Sequence, residues 1–145
     1  PAAPSLARQF SALIQSTDPT LARVRRVASG LLATPRDPVL LHGDIHHGNV
    51  LDFGAEGWLA IDPWGLMGER AYDYANIFPN PDLAAVTADR FATRLAQIAR
   101  TADLEPARLR AFAHAHAGLS AAWHAQDGSD PAAPRAVLAL IEGAG

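Results

Sequence analysis

The chain has 145 residues, a formal net charge of −3, 49% hydrophobic and 19% charged residues, and no cysteine. One domain with a real apolar core is expected, and disulfides and thiolate metal sites are excluded. The mild acidity leaves no basic footprint for nucleic acid or a membrane surface, and no run of about 18 apolar residues is present to cross a bilayer.

Taken in chain order, Leu6, Phe10, Leu13 and Ile14 have helical spacing and predict a helix over about 4–16. Thr17-Asp18-Pro19 reads as a stop and restart, with Asp18 as the cap and Pro19 in the first turn. Leu21, Val24, Val27, Leu31 and Leu32 form the stripe of the next helix, ended by Pro35 and Pro38. Val39-Leu40-Leu41 is a short apolar run without helical period. Residues 49–53 and 58–62 read as two strands around the turn Gly54-Ala55-Glu56-Gly57, and Pro63 and Gly65 close this section. Helices are predicted over about 70–78, from Asn80-Pro81 to about 100, over 105–125, and from Asp130-Pro131 onward. The fold class expected is α+β, mostly α, with helices around a small catalytic β-hairpin.

The segment His42-Gly43-Asp44-Ile45-His46-His47-Gly48-Asn49 fits the kinase catalytic-loop pattern H-x-D-x-x-x-x-N. Transfer of a phosphoryl group to a hydroxyl needs a proton acceptor, and Asp44 supplies a loop carboxylate. It also needs magnesium against the phosphate charge, and magnesium takes hard oxygen ligands. Asn49 offers one. For the second, a hairpin with a four-residue turn at 54–57 sets Phe53 opposite Trp58, Leu51 opposite Ala60 and Asn49 opposite Asp62, so that Asn49 and Asp62 share one ion. Asp52 of Asp52-Phe53-Gly54 falls on the other face and reads as a surface carboxylate near a turn. His42 reads as a holder of the loop backbone. His46, His47, Trp64 and Glu69 are candidate substrate contacts. His114, His116 and His124 read as ordinary helix residues near the surface or a pocket edge.

These residues, with Trp58-Leu59-Ala60-Ile61-Asp62-Pro63, Gly65-Leu66-Met67-Gly68-Glu69 and Tyr72-Asp73-Tyr74-Ala75-Asn76, resemble the aminoglycoside phosphotransferase family, and within it the streptomycin 6-kinase and hydroxyurea phosphotransferase group. The resemblance is tight over about 38–82 and looser in the flanking helices. It implies a protein-kinase-like C-terminal catalytic lobe over 1–145. It implies ATP- and magnesium-dependent phosphorylation of a hydroxylated small molecule, such as an aminoglycoside or a hydroxyurea-like compound. It implies Asp44 as base, Asn49 and Asp62 as magnesium ligands, and Asp73 as a structural brace for the loop. Trp64 stands where this group is expected to carry lysine.

The chain contains no lysine, and no glycine-rich strand-turn precedes Val39. The nucleotide lobe of such a kinase is therefore expected to be absent, and the isolated chain to have low activity. The chain begins at Pro1 and its one methionine is Met67, so a fragment or processed product is expected. No signal segment is visible, and a cytoplasmic location is expected. Partners expected are a nucleotide and a small molecule, with a missing N-terminal lobe as a further candidate; oligomeric state is unread. Two alternatives stand beside the kinase reading. One is an inactive or partner-binding fragment. The other is a hydrolase with zinc held by His42, Asp44 and His46 together with His114 or His124.

Overall fold

The N-terminal apolar stripe folds as two single turns rather than one helix. In the computed structural model, which describes residues 2–144, α1 (Leu6–Gln9) and α2 (Ser11–Ile14) break at Phe10 and bury Leu6, Phe10 and Leu13. Asp18 caps as expected: its Oδ1 accepts from the Thr20 N–H at 2.8 Å and opens a 3-10 turn, Pro19–Leu21. That turn runs into α3 (Ala22–Ala33), whose buried stripe is Val24, Ala28 and Leu31. Arg135 reaches back to Asp18 at 2.9 Å. The Thr20 hydrogen bonds, with a smaller share from Arg135, hold the Asp18 carboxyl below its usual range.

The central section contains two two-stranded antiparallel sheets, where one hairpin was expected. β1 (Val39–Leu41) pairs with β4 (Leu66–Gly68), Leu41 against Leu66. The run Leu66-Met67-Gly68 is too short to show alternation, so the strand is invisible to periodicity. The second sheet joins β2 (Val50–Asp52) to β3 (Trp58–Ala60), and its register differs by one residue from the sequence reading. Leu51 faces Leu59 and Asp52 faces Trp58. The cause is Gly57, which adopts φ +80° and accepts from the Phe53 N–H at 2.9 Å. It thereby joins the ladder and shortens the turn to Gly54–Glu56. A one-residue slip exchanges the two faces: Asn49 lies opposite Ile61, with Ile61 N–H donating to Asn49 O at 2.8 Å, and not opposite Asp62.

The remaining helices are α4 (Ala71–Ala75), α5 (Ala88–Ala102), α6 (Pro106–Asp127) and α7 (Ala132–Gly143). Asn80-Pro81 does not open α5. Asp82 caps only a 3-10 turn (Leu83–Ala85), and Thr87 caps the helix itself through the Arg90 N–H. α6 is buried on nearly every face from Leu109 to Ala122, and α2, α3, α4, α5 and α7 all pack on it. Its alanines and Gly118 keep it thin, so neighbouring helices approach closely. A Cβ added at Gly118 would sit 2.6 Å from Val24 Cγ1.

Glu69, read from the sequence as a substrate contact, is buried at 8% exposure between β4 and α4. Arg108 of α6 grips it with Nε at 2.8 Å and Nη2 at 2.7 Å, and the Arg36 N–H donates to it at 3.3 Å. The same guanidinium donates to the Thr34 carbonyl at 2.6 Å. This ion pair therefore locks the end of α3 and the start of α4 onto α6, and the Glu69 carboxylate is already engaged.

Arg108→Met leaves a buried, unpaired carboxylate and is expected to cost about 3 kcal/mol of stability. Adding Glu69→Leu should recover most of that loss; urea unfolding of the three variants checks it.

Two helical glycines separate packing from propensity. Gly30 of α3 has open space where its Cβ would be, so Gly30→Ala is expected to stabilise by about 0.5–1 kcal/mol. Gly118→Val must push Val24 aside and gains little propensity, so it is expected to destabilise by about 2 kcal/mol. Midpoints of thermal or urea unfolding with opposite signs are the check.

Candidate active site

The loop between β1 and β2 is held by its backbone. α4 presents Asp73, whose Oδ2 accepts from the His42 N–H at 2.9 Å and whose Oδ1 accepts from the Gly43 N–H at 2.8 Å. Gly43 is required there on two counts. Its φ is +89°, and an added Cβ would meet Leu66 Cδ2 at 2.5 Å and Trp64 Cβ at 3.2 Å.

The His42 ring ties both sides of the loop. Nδ1 accepts from the Asp44 N–H at 3.2 Å, which leaves Nε2 to carry the proton and donate to the Ile61 carbonyl at 2.6 Å. The His42 carbonyl accepts from the Trp64 N–H at 2.7 Å. Residues 61–64 therefore wrap His42, with Asp62 between the two tied ends. Asp62 has φ +55°, so the chain leaves the strand geometry there and period-2 alternation no longer aims its side chain. Asp62 is exposed.

The half-buried Asp44 carboxylate is surrounded by donors. Asn49 Nδ2 donates to Oδ2 at 3.1 Å and to the Asp44 carbonyl at 2.9 Å, and Asn76 Nδ2 reaches Oδ1 at 3.4 Å. His46 Nδ1 accepts from the Gly48 N–H at 3.0 Å, which leaves its Nε2 proton facing Asp44 Oδ2 at 3.6 Å. Asn49 is buried, and its amide nitrogen is spent on Asp44; among the described residues no donor reaches its Oδ1 or the Asp62 carboxylate. An amide oxygen and a carboxylate without protein donors are the hard ligands that magnesium takes, so this pair fits that ion chemically.

An aromatic chain runs from the core to this loop. Phe10, Tyr72, His116, Trp123 and Trp64 meet edge to face in turn, with centroid separations of 5.7, 5.7, 6.4 and 6.2 Å. Burial pushes the Tyr72 hydroxyl up to about 12, partly offset by the Gln9 hydrogen bond, with the charges of Asp73 and Asp44 adding to the rise. Trp64, at the far end, is half exposed beside Gly43.

With this geometry in hand, similarity to known proteins is decisive. The model of the aminoglycoside/hydroxyurea antibiotic resistance kinase family matches residues 4–128. The chain belongs to that family. It is 54% identical over 114 residues to the streptomycin 3''-kinase of Klebsiella pneumoniae, covering 74% of this chain and 43% of that protein. It is 33% identical over 121 residues to the streptomycin 6-kinase of Streptomyces glaucescens, covering 76% and 38%. It is 31% identical over 121 residues to the hydroxyurea phosphotransferase of Kitasatospora aureofaciens, covering 82% and 34%. The chain thus spans less than half the length of the curated relatives it matches. No solved structure matches it significantly.

In this member of the kinase family, Asp44, Asn49, His42, Asp73 and His46 come together at one loop. Trp64 flanks it, His47 is exposed on it, and Asp62 is tethered beside it through Ile61 and Trp64. Glu69 is not part of this group. Asp52 is exposed and caps the hairpin turn through the Gly54 N–H at 2.8 Å. Sequence reasoning missed Asn76 as a neighbour of Asp44. The signal was available in its spacing, since Asp73 and Asn76 are three apart and share a helix face. The zinc alternative fails on donors. Both ring nitrogens of His42 are engaged by backbone, and among the described residues no cluster of three or more His, Cys, Asp or Glu could hold a metal.

His114 and His116, expected near the surface or a pocket edge, are both buried at 5% exposure. His114 bonds Glu142 of α7 at 2.9 Å. His116 Nδ1 has no partner, and desolvation pushes its pKa down from 6.5 to about 4. The unfolded chain takes up this proton near pH 6.5 and the folded chain only near pH 4, so its contribution is full above 6.5 and falls as pH drops through that window. Acidification from pH 7.5 to 5 is expected to cost about 2 kcal/mol through this group. Urea unfolding of His116→Phe at the two pH values should show a smaller loss by about that amount.

Proposed function

We propose that this chain is the catalytic lobe of an ATP- and magnesium-dependent kinase that phosphorylates a hydroxyl of a small molecule, with streptomycin-like aminoglycosides as first candidates and hydroxyurea-like compounds next. The observation that carries the reading is the Asp44 carboxylate. It is held at the head of a loop fixed by Asp73 and His42, and amide N–H groups face both of its oxygens.

In this reading Asp44 accepts the proton of the acceptor hydroxyl as that oxygen bonds to the terminal phosphorus of the nucleotide and the bond to the diphosphate breaks. The Asn49 amide holds the carboxylate by its Oδ2. Asn49 Oδ1 and the Asp62 carboxylate would hold magnesium, which when bound neutralises phosphate charge. Asp73 and His42 keep these groups in register and do not meet substrate. Trp64, half exposed at the loop edge, offers an aromatic face to the acceptor, and His47 is available at the same rim.

The chain has no lysine, so a lysine clamp on the nucleotide phosphates has to come from polypeptide outside it. The hairpin of β2 and β3 suits such a lobe. Leu51, Phe53, Trp58 and Leu59 are 42%, 48%, 71% and 41% exposed, with Leu51 and Leu59 on one face and Trp58 on the other, apolar side chains that a second lobe would cover in part. A cytoplasmic location accords with the need for ATP.

The test is phosphate transfer to streptomycin from Mg-ATP, followed by mass spectrometry, with the chain alone and with the chain joined to the nucleotide lobe of the Klebsiella pneumoniae relative. Transfer is expected to be very low for the chain alone and restored by the added lobe. Asp44→Ala should then reduce it by about 100-fold or more, while Asp52→Asn leaves it near the parent rate. Activity of Asp44→Ala within a few-fold of the parent refutes the assignment of the base.

A further inference from the structure

We propose that Asn76 is a positioning residue for the Asp44 carboxylate, and that Asn80 helps to set which way the Asn76 carboxamide faces. The proposal rests on the reading of Asp44 as the proton acceptor and adds two residues to it.

A carboxylate turns easily about its terminal torsion, whose energy profile is broad and roughly two-fold. Asn49 grips Oδ2 at 3.1 Å, which leaves the plane free to swing about that oxygen. Asn76 supplies the second point, with Nδ2 at 3.4 Å from Oδ1. At that length the contact orients more than it stabilises.

Two groups set the flip of the Asn76 amide: the Asp44 carboxylate, which accepts only from its NH2, and Asn80 on its other side. Asn80 Nδ2 donates to the Asn76 carbonyl at 2.6 Å and to Asn76 Oδ1 at 3.4 Å. A flipped Asn76 would set its oxygen against the Asp44 carboxylate and its NH2 against the Asn80 NH2, two repulsions in place of two attractions. Asn80 is itself anchored, since Arg94 of α5 donates to its carbonyl at 2.7 Å and to that of Ile77 at 3.0 Å. One short helix, α4, thus sends Asp73 to the loop backbone and Asn76, its C-terminal cap, to the loop carboxylate.

The first experiment needs no activity. In 1H–15N spectra of the chain at neutral pH, the Asn76 side-chain amide is compared between the parent and Asp44→Ala. Its resonances should shift when the carboxylate is removed, and that shift should shrink in the Asn80→Ala background. An Asn76 amide unchanged by Asp44→Ala, or one that shifts equally with and without Asn80, overturns the proposal.

The second experiment uses the transfer assay above. Asn76→Leu should lower kcat by about 10–100-fold with both KM values within about threefold. A parent rate for Asn76→Leu overturns the positioning role. If the amide follows Asp44 but Asp44→Ala still transfers phosphate, the contact stands and the kinase reading fails.

Discussion

Two peptide N–H groups, those of His42 and Gly43, point into the protein and end on one carboxylate. Buried peptide donors must find acceptors, and Asp73 answers both with charge-assisted hydrogen bonds of 2.9 and 2.8 Å. This clasp fixes the loop before any reactive group is considered. The His42 ring then passes the order on in two directions, to Asp44 through Nδ1 and to Ile61 through Nε2. Without the clasp the loop would keep its sequence but lose the spacing of its functional groups.

The clasp can only be as rigid as α4, and α4 is a helix of five residues. A helix that short does not stand alone in water. Its order is borrowed from α6, against which Ala71, Tyr72 and Ala75 are buried. α6 can receive α4 and α3 on opposite sides because alanine and glycine line much of its length. The Glu69–Arg108 pair then sets where α4 begins, and the Tyr72–His116 edge contact sets its rotation. Precision at Asp44 is therefore assembled from small residues far from it.

Much of the site was legible because its information is local. His42, Asp44 and Asn49 lie within eight residues, and the loop that joins them follows a short apolar run. The helices with long stripes, α3, α5, α6 and α7, were legible for the same reason. What could not be read was whatever depends on one backbone torsion or one distant partner. Gly57 at φ +80° enters the ladder and shifts the hairpin by one residue, and nothing in Gly54-Ala55-Glu56-Gly57 distinguishes three turn residues from four. Glu69 resembles a surface acid until Arg108, 39 positions on, is found against it. His116 carries no mark of burial, because in an alanine-rich helix every face looks alike.

The register shift bears on how Asp62 reaches the loop. A strict hairpin would have placed it by strand alternation, and that route is closed. The route taken instead is a bend: Asp62 adopts a left-handed conformation while its neighbours Ile61 and Trp64 are pinned to His42. Asp73 is bonded to the loop backbone, Asp44 stands on the loop and Asp62 lies in the segment pinned to His42; among the described residues no arginine forms an ion pair with any of the three. The arginines near the core are committed to scaffold contacts: Arg108 to Glu69, Arg135 to Asp18, Arg70 and Arg94 to backbone carbonyls. The scaffold thus uses its guanidinium groups to hold elements together and leaves the Asp44 carboxylate to the Asn49 and Asn76 amides, neutral donors that fix its direction without cancelling its charge.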